Sequence, residues 1–189
     1  MAPPVARAYV RSLSNVTRMS DSLAKVLLPE FDAEMAATRR ALERVPDGKS
    51  AWKPHPKSMT LGRLATLLAE LPSWAVNAVT LDEYEIAPRG GPPMRFETLE
   101  PIARVLDLFD RNAAAARAAI ARTSDAEFAK PWTLKFAGAV VSTDPKFTVV
   151  RRTVLNHIVH HRGQLTVYLR LNDLPVPAVY GPTADEPRF

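Results

Sequence analysis

The 189-residue sequence contains no cysteine. That absence excludes a disulfide framework, a thiolate nucleophile and any zinc or iron–sulfur site built on Cys, so a metal would have to be held by His, Asp or Glu. Histidine is scarce as well, with four residues in the chain. No apolar run approaches the roughly 18 residues of a membrane span, so no membrane segment is expected. Walker loops, dinucleotide glycine motifs and a Ser-His-Asp order are also missing; the only adjacent glycines, Gly90 and Gly91, sit in a Pro-rich stretch.

Acidic residues are absent from the first twenty positions, which carry Arg7, Arg11 and Arg18. The whole chain has 25 basic and 20 acidic residues; without those three arginines the balance is 22 to 20, so most of the +5 excess belongs to this arm. A nucleic-acid-binding domain clusters Lys and Arg on one face or stripe, which the remainder does not do, and no nucleic-acid partner is expected. Residues 1–20 read as a flexible basic arm ahead of a domain spanning 21–189. The arm has no apolar h-region, and Pro3 and Pro4 interrupt an early amphipathic helix, so it reads as an extension or as sequence upstream of a true start at Met19. A cytoplasmic location is expected. The length suits one domain able to bury its own core.

Helical periodicity dominates. Pro29 reads as a first-turn residue, with Phe31, Met35, Leu42 and Val45 spaced by threes and fours behind it. A second helix starts at the N-cap candidate Thr60, runs through Leu61, Leu64, Leu67, Leu68 and Leu71, and is kinked or broken at Pro72 before continuing to Val79. Residues 82–97 read as a long connection. A third helix covers about 99–121. Residues 124–146 read as irregular, with a short β-like piece at Val140–Val141, and a fourth helix covers about 147–172 before a Pro-rich tail. Four long helices with mixed connections point to an all-α four-helix bundle.

The candidate chemistry lies on the fourth helix. His157 and His161 are four apart, so both leave one face, together with Val150, Val154, Gln164, Leu165 and Tyr168. Such a pair can present two ligands to one divalent ion, or form hydrogen-bonded packing histidines. His160 lies about 100° around the helix, and Arg162 faces away again, free to hold an acidic side chain or a partner chain. His55, in a Pro-flanked loop, is not expected to ligate.

The run Asn156-His-Ile-Val-His-His-Arg-Gly-Gln-Leu-Thr-Val-Tyr-Leu-Arg170, followed by Val176-Pro and Tyr180-Gly-Pro, strongly resembles the C-terminal signature of the DinB/YfiT-like family. Upstream, Trp52-Lys-Pro-His-Pro-Lys-Ser-Met-Thr-Leu-Gly-Arg-Leu-Ala65 and Glu70-Leu-Pro-Ser-Trp74 are similar to it too, and the likeness covers about residues 27–185. The resemblance implies an up-down-down-up four-helix bundle with long loops, often a homodimer, and a divalent ion such as zinc or nickel held by three histidines. Two of those ligands correspond to His157 and His161. The third corresponds to Leu67, which has no donor atom. Glu70, one turn further along, is a substitute ligand or a hydrogen-bond partner of His161, Arg162 or a loop.

This departure implies a degenerate site, with no metal or a weakly bound one. The implied function is a small-ligand-binding or non-catalytic, stress-associated bundle, whose pocket residues would be His160, His161, Gln164, Tyr168 and Trp74. The alternative is a metal-dependent hydrolase, or a thiol-dependent transferase or isomerase, using His157 and His161 with Glu70 as base or substitute ligand. Expected partners are a second copy of the chain and a small molecule.

Overall fold

Helix α1 (Leu23–Leu42) begins six residues before the position expected from Pro29. The Ser22 hydroxyl accepts from the Lys25 N–H at its start, and Ala24 and Leu27 are buried in its first turns. Pro29 therefore lies inside the helix; its missing N–H removes one ladder bond, which the buried turns on either side outweigh. The computed structural model describes residues 22–92 and 96–187. The basic arm of residues 1–20 lies outside the described residues.

Thr60 caps α2 (Leu61–Glu70), its hydroxyl accepting from the Arg63 N–H at 3.2 Å. Pro72 separates α2 from α3 (Ser73–Thr80), so the expected kink is a break into two helices. β1 (Glu83–Glu85) follows, then α4 (Ile102–Arg122) and the single turn α5 (Asp125–Phe128). β2 (Pro131–Phe136) and β3 (Ala139–Pro145) form a hairpin, which leads into α6 (Lys146–Val149), a π-helical segment over Val150–Leu155, and α7 (Asn156–Leu171).

The strands correct the all-α expectation: the chain is mostly helical but carries a three-stranded sheet ordered β1-β2-β3. β1 runs parallel to β2, with Glu83 opposite Thr133, and β2 runs antiparallel to β3, with Trp132 opposite Asp144. Two features build the hairpin where the sequence reads as irregular. Ala137 and Gly138 both take positive φ, 50° and 77°, the backbone of a tight two-residue turn, though Ala is an unusual choice there. Trp132 is buried while its neighbour Pro131 is exposed, so the strand has a core face and a solvent face.

α4 packs against α1, α2 and α3, and α7 packs against α1 and α2. A single apolar core runs through these contacts, including Phe31, Leu64, Leu68, Phe109, Ile120, Ile158 and Leu165. The π-helical turn alters the last helix. From its last residue onward the most buried positions are Leu155, Ile158, His161, Arg162, Leu165 and Leu169, whereas His157, Gln164 and Tyr168 are half-buried at the rim. Arg162, expected to face away, thus points into the core, and it does hold an acidic side chain, Glu34. Among the described residues no helix is long and apolar enough to cross a membrane.

Candidate functional site

α7 carries the histidines toward the α2–α3 break. The His157 ring meets the Trp74 ring edge-on at 5.6 Å between centroids and lies 4.6 Å from the ring of His161, with His160 4.9 Å from His161. Gln164 joins two of them: its Oε1 is 2.7 Å from His161 Nδ1 and its Nε2 is 3.1 Å from His160 Nε2. An amide oxygen only accepts and an amide nitrogen only donates, so in this orientation His161 carries its proton on Nδ1 and His160 accepts at Nε2. His157 is hydrogen-bonded to the backbone of Thr153.

Burial lowers the pKa of His157, and the neighbouring His161 lowers it further. Burial likewise dominates the lowering at His161, with smaller contributions from His160 and the Arg63 guanidinium opposing the Gln164 hydrogen bond. Below the ordinary imidazole value near 6.5, both rings stay neutral at pH 7.

Leu67 is half-buried on α2, and Glu70 is engaged by Arg63, with Nη1 to Oε2 at 2.9 Å. Arg63 also donates to the Glu97 carbonyl at 3.1 Å and lies over the Phe96 ring, 5.3 Å from its centroid. The partner of Glu70 is thus a guanidinium one turn-pair back on its own helix, not a histidine. Among the described residues, no group of three or more His, Asp or Glu side chains is arranged to hold a metal ion. The three-ligand metal that the resemblance implies does not fit this donor set. His55 is exposed in its loop, its Nδ1 accepting from the Lys57 N–H.

Beside this face opens a cavity of about 720 Å³. One wall is mainly helical: Arg63, Leu67, Glu70, Trp74 and Asn77, with Met59 from the loop before α2 and Val149, Thr153 and Val154 from α6 and the π-helical turn. The other comes from the sheet and from residues on either side of 93–95: Tyr84, Ile86, Pro88, Pro92, Phe96, Trp132 and Leu134. Of the candidate ligand and pocket residues named from the sequence, Leu67, which stands at the third ligand position, Glu70 and Trp74 line it. His160, His161, Gln164 and Tyr168 are not among its lining. Tyr168 instead packs edge-on against Trp52 at 5.4 Å and donates to the Met59 carbonyl at 3.3 Å.

Sequence reasoning missed Tyr84, Phe96, Trp132 and Leu134 as cavity residues. Trp132 was visible as one of three tryptophans, but its role depends on the sheet. Its Nε1 is also the one buried side-chain polar atom left without a hydrogen-bond partner among the described residues. The sheet wall is held to the helices by Lys146, 1% exposed, whose ammonium reaches Glu127 at 2.6 Å and Asp82 at 3.0 Å.

A family model for the DinB superfamily matches residues 30–165. Two solved crystal structures share the fold. A DinB-like protein from Bacillus cereus ATCC 10987 is 22% identical with a TM-score of 0.64, the match covering 86% of this chain and all of that one. A DinB-like protein from Bacillus subtilis is 14% identical with a TM-score of 0.61, covering 80% of this chain and 96% of that one. No curated protein matches the sequence.

Proposed function

The chain belongs to the DinB superfamily, and within it we propose that it is a small-ligand-binding, non-catalytic member whose histidine site is degenerate. The observation that carries this reading is the 720 Å³ cavity with Leu67 in its wall. A pocket of this size between helices and a sheet is in the range that takes a small molecule. A leucine facing that space adds apolar surface where a ligating histidine would add a donor.

Metal analysis of untagged protein, beside Leu67→His, tests the degenerate site. The expected result is little metal in the natural protein and near-stoichiometric zinc in Leu67→His, because two imidazoles alone fall short of the three protein ligands usual for zinc. Stoichiometric metal in the natural protein that disappears in His161→Ala overturns the reading.

A second reading, a metal-dependent hydrolase or thiol-dependent transferase or isomerase, is supported by the hydrogen bonds that engage His161 at Nδ1 and His157 at the Thr153 backbone. Metal-ligating histidines commonly have the far ring nitrogen held in this way. The proposal also includes an up-down-down-up order of the four long helices and a homodimer, both resting on the family resemblance, and a cytoplasmic location. Light scattering of the purified protein tests the dimer, and a monomer across the micromolar range removes it.

A further inference from the structure

Arg63 stands in the cavity wall on α2, its side chain 13% exposed. One nitrogen of its guanidinium makes all of its hydrogen bonds among the described residues: Nη1 donates to Glu70 Oε2 at 2.9 Å and to the Glu97 carbonyl at 3.1 Å. The Phe96 ring lies against the same group, its centroid 5.3 Å from Cζ. Nε and Nη2 have no acceptor among the described residues. The one buried side-chain polar atom without a partner there is Trp132 Nε1, so the free nitrogens of Arg63 reach accessible space.

Nε and Nη2 form the flat edge with which a guanidinium grips both oxygens of a carboxylate. The chain uses that edge twice elsewhere. Arg39 holds Asp110 with Nε to Oδ1 at 2.9 Å and Nη2 to Oδ2 at 3.1 Å, and Arg117 holds Asp32 at 2.8 and 3.0 Å. In Arg63 the edge is unused, because Glu70 sits at the other nitrogen. Around it the walls carry Leu67 and Trp74 from the helices, Tyr84 and Leu134 from the sheet, and Phe96. A flat ring system can make offset or edge-on contacts with several of these at once.

From these observations we infer that the cavity takes an aromatic carboxylate, its ring among the apolar and aromatic side chains and its carboxylate across Nε and Nη2 of Arg63. The inference rests on the reading of the cavity as a ligand site and adds the charge of the occupant. Glu70 need not be displaced, but its own negative charge opposes the incoming one and holds the affinity down.

Three naphthalenes of one shape, titrated calorimetrically against the full chain at pH 7, test it: 2-naphthoate is anionic, 2-naphthamide uncharged and 2-naphthylmethylammonium cationic. The naphthoate is expected to bind one per chain, about tenfold more tightly than the amide, as a charge-assisted pair should. The ammonium should bind more weakly than either. Glu70→Gln should tighten the naphthoate about threefold and leave the amide unchanged. The double variant Arg63→Gln, Glu70→Gln removes the fork without stranding a carboxylate, and it should bring the naphthoate down to the amide. Leu67→Trp and Leu134→Trp fill the space from opposite walls, and whichever stays folded by circular dichroism should lose both. Amide or ammonium binding as tight as the naphthoate overturns the anionic class while leaving a ligand site. A naphthoate preference that survives the double variant overturns Arg63 as the contact. Absence of binding by all three, or binding that survives the filling substitutions, overturns the ligand site itself and the proposed function with it.

Discussion

Two faces of α7, about 100° apart, carry polar groups of opposite character. On the face toward the rim Gln164 bonds both the exposed His160 and the buried His161 within a single helical turn. On the core face Arg162, 2% exposed, bonds Glu34, the Thr38 hydroxyl and the Tyr180 hydroxyl, with its guanidinium 5.1 Å from the Tyr180 ring centroid. Those first two partners lie on α1, more than 120 residues away in the chain. Polar groups satisfied by their own helix make no demand on the tertiary fold and keep their chemistry available. Polar groups satisfied across the fold hold it together.

If that contrast is right, Arg162→Met should be the most damaging polar substitution in the last helix. It leaves the Glu34 carboxylate half-enclosed without its cation, an arrangement expected to cost about 3–5 kcal/mol. Urea denaturation measures it, and a loss below about 1 kcal/mol would break the comparison. Glu34→Gln in the same background should recover part of the loss, since it removes the stranded charge.

Lys146 sharpens the comparison away from α7, because its partners Glu127 and Asp82 also come from other elements. Lys146→Met should destabilise by about 1–3 kcal/mol, less than Arg162→Met because both carboxylates reach solvent. The Lys146 pKa is raised: burial lowers it, but hydrogen bonds and charge from Glu127 and Asp82 prevail. A raised lysine pKa contributes stability that is complete below the ordinary value near 10.5 and disappears as pH climbs through the folded value. The gap between wild type and Lys146→Met should therefore be constant from pH 7 to 10 and narrow above about 10.5. A gap unchanged at pH 11 would show that the stem's packing, not the ion pair, is what matters.

The smallest effect is expected on the rim. Gln164→Ala breaks the link between His160 and His161 but strands no buried charge, so the loss should stay within about 1 kcal/mol. Its signature should be in the imidazole NMR signals, where His161 loses its fixed Nδ1–H tautomer. Destabilisation comparable to Arg162→Met would erase the distinction between the two faces.

Much of the helical frame was legible because its signals are local. Thr60 caps α2, Pro72 breaks the helix, and the i, i+4 spacing of His157 and His161 puts their rings 4.6 Å apart. The errors arose where local rules were overridden. Pro29 reads as a helix start, yet buried Ala24 and Leu27 carry α1 past it. The π-helical turn at Val150–Leu155 is invisible to a 3.6-residue period, and with it the burial of Arg162 beside His161. The hairpin lacks the usual Asn-Gly signal, its turn being Ala137-Gly138.

The sequence by itself determined that four histidines are the only nitrogen ligands available to a metal, that two of them share a helix face, and that Leu67 stands where the family resemblance calls for a third. Those are properties of residue identity and of spacing over a few positions. Tertiary structure alone decided that Glu70 belongs to Arg63, that Arg162 anchors the core, and that Trp132 lines an aromatic cavity. Glu34 meets Arg162, and Trp74 and Trp132 come to line one cavity, only after distant segments pack, because burying apolar surface selects those neighbours and no local periodicity records the choice.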